Sequence, residues 1–232
     1  ESPNPIVNEL VIMPDMEKRL EAFVRIAHAI VIFPGGVGTA EEILFLLGIL
    51  LHPDNADNPL PMILTGPESS RPYLERIDAF VGATLGPEAQ RRYSMIVGDP
   101  AAVATWVLGN VRQVRDYRHS RSDAYYFNWR LHVDTGFQQP FVATHEAMAA
   151  LELRRELPPA VLAANLRRAF SGIVSGNIRE EGIRAIEEHG PFEIRGDHGV
   201  LAELDGLLRA FVAQHRMRLP GRAYVPCYRV VI

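Results

Sequence analysis

The chain has 232 residues, of which 47% are apolar and 22% are charged, and its formal net charge is −4. This length suits one large domain or two small ones, and the apolar content favours a packed core over intrinsic disorder. The negative net charge argues against a nucleic-acid partner, because such proteins usually carry a basic excess. A single cysteine, Cys227, excludes an internal disulfide framework and a multi-cysteine zinc site.

No targeting or membrane signal stands out in the sequence. No apolar run approaches the roughly 18 residues that a membrane helix needs. The first ten residues lack the charged-then-apolar layout of a signal peptide. We therefore expect a cytoplasmic protein that has no membrane partner.

The basic residues are 23 arginines and one lysine, Lys18. A Walker-type phosphate loop needs a Gly-Lys-Ser/Thr sequence, and no lysine follows a glycine here. A pyridoxal-phosphate enzyme needs a Schiff-base lysine, for which Lys18 is the one candidate. Arginine is well suited to bind phosphate or carboxylate groups, because its planar fork contacts two oxygens at once.

In the first half of the chain, short apolar segments alternate with amphipathic ones. The predicted strands are Glu9–Met13, Ala29–Phe33, Pro61–Thr65 and Ser94–Val97. The predicted helices are Met16–His28, Thr39–Leu51, Arg71–Thr84 and Asp99–His119. This alternation predicts an α/β fold with a Rossmann-like parallel sheet and flanking helices. About four strands are fewer than such sheets usually have, and the chain does not begin with Met, so we expect an incomplete sheet that lacks an N-terminal part.

The pattern changes at a polar stretch, residues 118–123, which predicts a division into residues 1–119 and residues 120–232. The second part predicts a smaller α+β domain in which helices predominate. Its predicted helices are Pro158–Val174, Asn177–His189 and Gly199–Arg216, and its predicted strands are Tyr125–Val133, Phe192–Arg195 and Ala223–Ile232. In the first of these strands, Phe127 and Trp129 alternate with polar residues, as in a half-buried strand.

The most informative segment is PGGVGTAEE at residues 34–42, which follows a predicted buried strand and opens a predicted helix. Glycines remove side chains where an anion approaches the backbone, and they permit positive φ in a turn. The first turn of a helix offers unpaired N–H groups and the positive end of its dipole. The segment therefore predicts a phosphate site.

A purely structural interpretation of the same segment is a capping box. In it, Thr39 would cap the helix and Glu42, three residues later, would reach back to it. The segment is not the dinucleotide fingerprint, since Glu41 stands at the third glycine position. We favour a ligand site over capping alone, because a capping box does not need three glycines.

Two motifs resemble a known family. PGGVGTAEE resembles the PGGxGTxxE signature of the Lonely Guy-type nucleoside 5′-monophosphate phosphoribohydrolases. Upstream, Met16-Glu17-Lys18-Arg19 resembles the Met-x-x-Arg helix of that family, at the family's distance from the glycines. In the second half, FNWRLHV and PFVATHEAMAAL are similar to the C-terminal domain of the longer bacterial pyrimidine/purine nucleotide 5′-monophosphate nucleosidases.

This resemblance implies hydrolysis of the N-glycosidic bond of a nucleoside monophosphate to free base and ribose 5-phosphate, with no cofactor and no metal. Glu42 is the first choice for the carboxylate that stabilises the cationic sugar and holds the water, and Glu41 is the second choice, at the ribose hydroxyls. Arg19 matches the catalytic arginine and Met16 a substrate contact. The implied phosphate-binding residues are Gly35, Gly36, Gly38 and Thr39.

The chain also departs from the family pattern. Short members have His where this sequence has Glu17, and the first half of the family's Rossmann-like domain is not in this sequence. The resemblance further implies a homodimer or a homotetramer. It leaves the preferred base open, and it leaves a nucleotide effector open as a second partner.

Other interpretations of the sequence are a cofactor carrier, a lysine decarboxylase, a metal site and an effector site. A non-catalytic carrier of a nucleotide or a molybdopterin-type cofactor would share the glycine segment, but the acidic pair and Arg19 favour an enzyme. A lysine decarboxylase label goes with this signature, and the near-absence of lysine argues against it. The eight histidines show no metal-ligand spacing. Six arginines are expected mostly on solvated faces, with an effector site open as an alternative: Arg118, Arg121, Arg154, Arg155, Arg167 and Arg168.

Overall fold

A computed structural model describes residues 5–217, 219 and 224–231 of the chain. Its α-helices are α1 Met16–Ile26, α2 Val37–Leu50, α3 Arg71–Leu85, α4 Pro87–Gln90, α5 Pro100–Ser120, α6 His145–Ala149, α7 Pro159–Ile178, α8 Glu180–His189 and α9 His198–Ala213. Its strands are β1 Ile30–Ile32, β2 Met62–Gly66, β3 Ser94–Val97, β4 Glu152–Leu153, β5 Phe192–Gly196 and β6 Tyr228–Val231. Short 3₁₀ turns cover Pro53–Asn55, Glu68–Ser70 and Thr135–Phe137.

The first sheet has the order β1-β2-β3, and both of its strand pairs are parallel. The register places Ile30 opposite Met62 and Ile63 opposite Ser94. Helices connect successive strands, as parallel pairing requires. The predicted α/β class with a Rossmann-like parallel sheet is therefore confirmed.

Helix α2 lies at the centre of the molecule, and ten of its fourteen residues are buried. A helix that is apolar on all sides is stable only inside a core. It packs against α7 from the second half of the chain. The ring of Phe45 in α2 packs edge-to-face on the ring of Phe137, with 5.1 Å between the ring centroids. The glycine segment at its start is thus attached to a largely buried helix.

The second half of the chain contains a small parallel sheet of order β4-β5-β6 together with α6–α9. The predicted mixture of helices and a few strands is confirmed. Side chains from the two halves share one continuous apolar core; for example, Tyr73 of α3 lies 5.5 Å from Phe211 of α9 between ring centroids. The division at residues 119 and 120 stays a prediction.

Two predicted strands are wrong. Residues 9–13 are not in a strand, and Val11 and Ile12 are 67% and 82% exposed. Residues 125–133 are also irregular. There, side-chain bonds replace a backbone ladder: Asn128 is buried and exchanges two amide hydrogen bonds with Asn58, each 3.1 Å long. Trp129, predicted half-buried, is exposed.

The arginines also differ from expectation at two positions. Arg118 and Arg167 are buried, and Arg118 donates to the carbonyls of Tyr125 and Ala27 at 3.0 and 3.1 Å. A buried guanidinium with several donors is satisfied by carbonyls or carboxylates rather than by water.

The last predicted strand begins at Tyr228, and its predicted ends, Ala223 and Ile232, lie outside the described residues. Within the described residues, none of the helices has the length and apolar character needed to cross a membrane.

Candidate active site

The glycine segment forms the start of α2, although not as a capping box. The helix begins at Val37 with Gly36 as its N-cap, so Thr39 is the third helical residue and the capping-box interpretation is wrong. No side chain in the described part of the chain caps this end. The first N–H groups of α2 are therefore available to an anion. Glu41 and Glu42 lie in the second helical turn.

The three glycines differ in what surrounds them. None of them has positive φ, so the left-handed backbone that glycine permits is not adopted at these three positions. A Cβ on Gly35 would lie 1.9 Å from the Thr39 hydroxyl, and one on Gly36 would lie 2.4 Å from the Arg216 carbonyl oxygen. A Cβ on Gly38 would have no described neighbour within 4 Å. Gly35 and Gly36 thus allow close protein packing, and Gly38 borders open space.

Arg216 and Tyr73 hold the glycine segment from outside. The Arg216 guanidinium donates to the Gly35 carbonyl at 2.8 Å and lies 4.3 Å from the centre of the Tyr73 ring. The Tyr73 hydroxyl donates weakly to the Gly36 carbonyl at 3.5 Å, and burial raises the pKa of Tyr73. Sequence reasoning missed both residues, because neither belongs to a motif and Arg216 is far from the glycines along the chain.

The structure brings three of the predicted site residues together. Arg19 of α1 donates to Glu42 of α2 at 3.2 Å, and the same Nη2 atom lies 2.8 Å from the Met16 sulfur. Asp15 caps α1 by accepting from the Lys18 amide at 2.7 Å, which fixes the start of this helix. The Arg19–Glu42 pair is half-exposed, so both groups are accessible to a ligand.

A small cavity of about 200 Å³ lies beside this pair. Glu42 and Thr39 form its polar side, and Phe23, Phe33 and Leu46 form part of its apolar side. Pockets that enclose a drug-sized ligand span roughly 300–1,000 Å³. The described residues therefore enclose only part of a nucleotide-sized ligand, such as a sugar or a base.

Glu41 does not line this cavity. Its carboxyl lies near α7, where burial raises its pKa to about 7 against the lowering effects of Arg167, Arg179 and a hydrogen bond from Ser171. Beneath it, Glu17 forms a buried ion pair with Arg167. Glu17, at the position where short members of the family have His, thus has a structural partner.

Lys18, the candidate Schiff-base residue, pairs with Glu21 at 3.1 Å on the surface of α1. It does not line the cavity beside Glu42. A lysine that forms a Schiff base has to reach the bound cofactor from the wall of its pocket. The position of Lys18 therefore agrees with the argument against a pyridoxal enzyme.

Family models match both halves of the chain. The family model described as "Pyrimidine/purine nucleotide monophosphate nucleosidase, C-terminal" matches residues 111–231. The chain belongs to this nucleosidase family. A second model, described as "Possible lysine decarboxylase", matches residues 1–107, the part that carries the glycine segment and the Arg19–Glu42 pair.

Curated relatives agree with the nucleosidase family. The pyrimidine/purine nucleotide 5′-monophosphate nucleosidases of Escherichia coli K12 and of the O6:H1 and O157:H7 strains are each 57% identical to the chain over 230 residues. The match covers 99% of the chain and 51% of each relative, so the chain spans about half the length of these nucleosidases. The family resemblance predicted from the sequence is confirmed.

Proposed function

We propose that the protein hydrolyses the N-glycosidic bond of purine and pyrimidine nucleoside 5′-monophosphates, giving free base and ribose 5-phosphate. The observation that carries this proposal is the Arg19–Glu42 pair, which two helices place 3.2 Å apart at an accessible cavity beside the start of α2. The names of the relatives support the same substrate class.

The proposed chemistry centres on the Glu42 carboxylate. The bond from C1′ to the base breaks through an oxocarbenium-like state, and the base leaves with the bonding electrons and takes up a proton. Glu42 stabilises the positive charge on the sugar and accepts a proton from the water that attacks C1′. The Arg19 guanidinium orients Glu42 and the phosphoribosyl group, and Met16 contacts the substrate beside it.

The 5′-phosphate is proposed to bind at the start of α2. The uncapped N–H groups of the first turn and the positive end of the helix dipole favour a dianion there. Open space at Gly38 lets a phosphate approach the backbone, and Thr39 adds a hydroxyl at the cavity. Gly35 and Gly36 shape the segment through their contacts with Thr39 and Arg216. Glu41 is the second choice for a catalytic carboxylate, and its proposed role is to contact the ribose hydroxyls.

A homodimer or a homotetramer is part of the proposal. Large apolar side chains around the site, Met16, Phe23 and Phe33, are between 45% and 63% exposed. Apolar exposure of this kind is typical of an interface, and a second copy of the chain that covers it would enlarge the cavity to nucleotide size. The cytoplasmic location and a nucleotide effector stay predictions.

Release of free base from AMP, GMP, CMP and UMP, measured by chromatography, tests the proposal. We expect the protein to release base and Glu42→Gln to lower turnover by about 10²–10⁴-fold, the usual contribution of a general base. Nucleotide binding, measured by calorimetry, should survive this change, because the phosphate contacts remain. Tight binding without base release from any of the four nucleotides would instead support the non-catalytic carrier.

A further inference from the structure

A cluster of two imidazoles and two carboxylates lies at the C-terminal end of α2, separate from the Arg19–Glu42 cavity. His52 and Asp54 belong to the turn that follows α2, and His132 and Asp134 belong to the irregular segment that follows α5. The two imidazole rings are stacked, with centroids 4.2 Å apart and an angle of 23° between their planes.

The two carboxylates approach different nitrogens of this ring pair. Asp134 is 3.8 Å from Nε2 of His52 and 3.0 Å from Nε2 of His132. Asp54 is 3.9 Å from Nδ1 of His52 and 3.7 Å from Nδ1 of His132. One ligand atom from each of His52, His132 and Asp134 lies within 4.8 Å of the other two.

The buried amide of Asn55 fixes the two segments relative to each other. Its Nδ2 donates to the carbonyls of His132 and Ile49, both at 2.8 Å, and its Oδ1 accepts from the His132 amide at 2.7 Å. Asn55 is only 1% exposed. The backbone that carries both histidines is therefore held in place by the fold itself, as a preorganised ligand set requires.

We propose that Nε2 of His52, Nε2 of His132 and the Asp134 carboxylate bind a divalent transition metal ion of the zinc class, with water in the fourth position. Two imidazole nitrogens and one carboxylate form a donor set that suits zinc, whereas calcium and magnesium favour all-oxygen sites. The partial exposure of His132 and Asp134 leaves room for the water.

Metal binding at this cluster requires two local adjustments. Ligand nitrogens around tetrahedral zinc lie roughly 3.4 Å apart. The in-plane lone pairs of the stacked rings lie side by side, so both rings have to rotate before their Nε2 atoms face one ion. His52 Nδ1 now accepts a long 3.2 Å bond from the Asp54 amide. With zinc on Nε2, Nδ1 carries the proton and donates to the Asp54 carboxylate, which is the outer partner that metal-bound histidines usually have.

No short ligand motif in the sequence predicts this cluster. His52 and His132 are 80 residues apart and neither belongs to a short ligand motif. What brings them together is the pair of buried amides, Asn55 and Asn58, that hold residues 128–134 against the end of α2. The expectation that the histidines bind no metal rested on local spacing alone.

Calorimetric titration of the metal-stripped chain with ZnCl₂ tests the proposal. We expect one zinc ion per chain, and visible absorption of tetrahedral cobalt when Co²⁺ is used instead. His52→Asn keeps the cap on the Asp54 amide, because an Asn side-chain oxygen can accept that bond, and His132→Gln keeps a polar partner for Asp134. Each variant should weaken zinc binding at least tenfold, whereas His198→Ala, at an exposed histidine of α9, should not.

A second readout guards against variants that fail to fold. Zinc should raise the melting temperature of the parent chain and of His198→Ala, and it should leave those of His52→Asn and His132→Gln unchanged. Circular dichroism without zinc checks that the variants are folded. Absence of stoichiometric zinc binding by the parent chain, or unchanged binding in both folded variants, would overturn the assignment.

Discussion

Two ion pairs attach α1 to other helices, and they differ in their exposure to solvent. Arg19 and Glu42 are 45% and 36% exposed in their side chains, whereas Arg167 and Glu17 are 5% and 7% exposed. One partner of each pair lies near the start of α1, Arg19 in the exposed pair and Glu17 in the buried pair. The comparison shows that one pair is accessible to a ligand, whereas the other is enclosed between α1 and α7.

The two pairs also differ in their expected contribution to the free energy of unfolding. An exposed ion pair contributes about 0–1 kcal/mol to stability, so the Arg19–Glu42 contact has little structural value. Removing one partner of a buried pair costs about 3–5 kcal/mol, because a charge is left buried without compensation. Changes at the Arg19–Glu42 pair should therefore affect turnover, and changes at the Arg167–Glu17 pair should affect the free energy of unfolding.

The largest expected effect is on turnover when the two residues of the Arg19–Glu42 pair are exchanged. Arg19→Glu combined with Glu42→Arg keeps an ion pair but moves the carboxylate to α1. We expect base release to fall about 10²–10⁴-fold, with a melting temperature close to that of the parent chain. Parent-like turnover in this double variant would show that only the ion pair matters, and not the position of the carboxylate.

Breaking the buried pair should have the next largest effect. Arg167→Met leaves Glu17 buried without its partner and should lower the free energy of unfolding by about 3–5 kcal/mol, measured in urea. The double variant Glu17→Leu/Arg167→Met removes both charges and should recover most of this loss. Equal destabilisation in the single and double variants would mean that the lost packing of Arg167 on Phe45 dominates.

The α/β framework was predictable because its elements carry local patterns. Ser94–Val97 is an apolar segment with turn residues on both sides, and the structure confirms it residue for residue. Glu9–Met13 has the same apolar character, yet it forms no strand, since a strand also needs a hydrogen-bonding neighbour. Local pattern gives the tendency to form a strand, and the fold decides whether a partner is present.

The site was predictable where it depends on motifs and not where it depends on distant contacts. Arg19, Glu42 and Met16 meet as the motifs suggested. The approach of Arg216 to Gly35 and Gly36 joins residues that are far apart along the chain, and no periodicity encodes it. The same holds for Arg167, whose burial depends on its pairing with Glu17.

The glycine segment offers a matched pair of smaller changes. Gly36→Ala places a Cβ 2.4 Å from the Arg216 carbonyl oxygen, and this overpacking should cost about 1–3 kcal/mol of stability. Gly38→Ala meets open space, so it should leave stability nearly unchanged and weaken phosphate binding. Thermal melts and calorimetry with AMP measure the two effects. Unchanged AMP binding in Gly38→Ala would place the phosphate elsewhere.

The smallest expected effect concerns the pH dependence of stability at Glu41. Its pKa is raised from 4.5 to about 7 in the folded chain, chiefly by burial and against the lowering effect of Arg167, while the negative charge of Glu17 adds a smaller increase. Between these two values the unfolded chain loses the Glu41 proton while the folded chain keeps it, so this group lowers stability as the pH rises through that window. The full shift would correspond to about 3 kcal/mol, and the partial exposure of Glu41 to solvent reduces this value. Glu41→Gln, which cannot ionise, should therefore be more stable than the parent at pH 8 by about 1–2 kcal/mol, with little difference at pH 4.5. Urea denaturation at both pH values measures the free energy of unfolding. A Glu41→Gln chain that is less stable than the parent at pH 8 would contradict the prediction. It would show that Arg167 and Arg179 stabilise the ionised carboxylate by more than burial destabilises it.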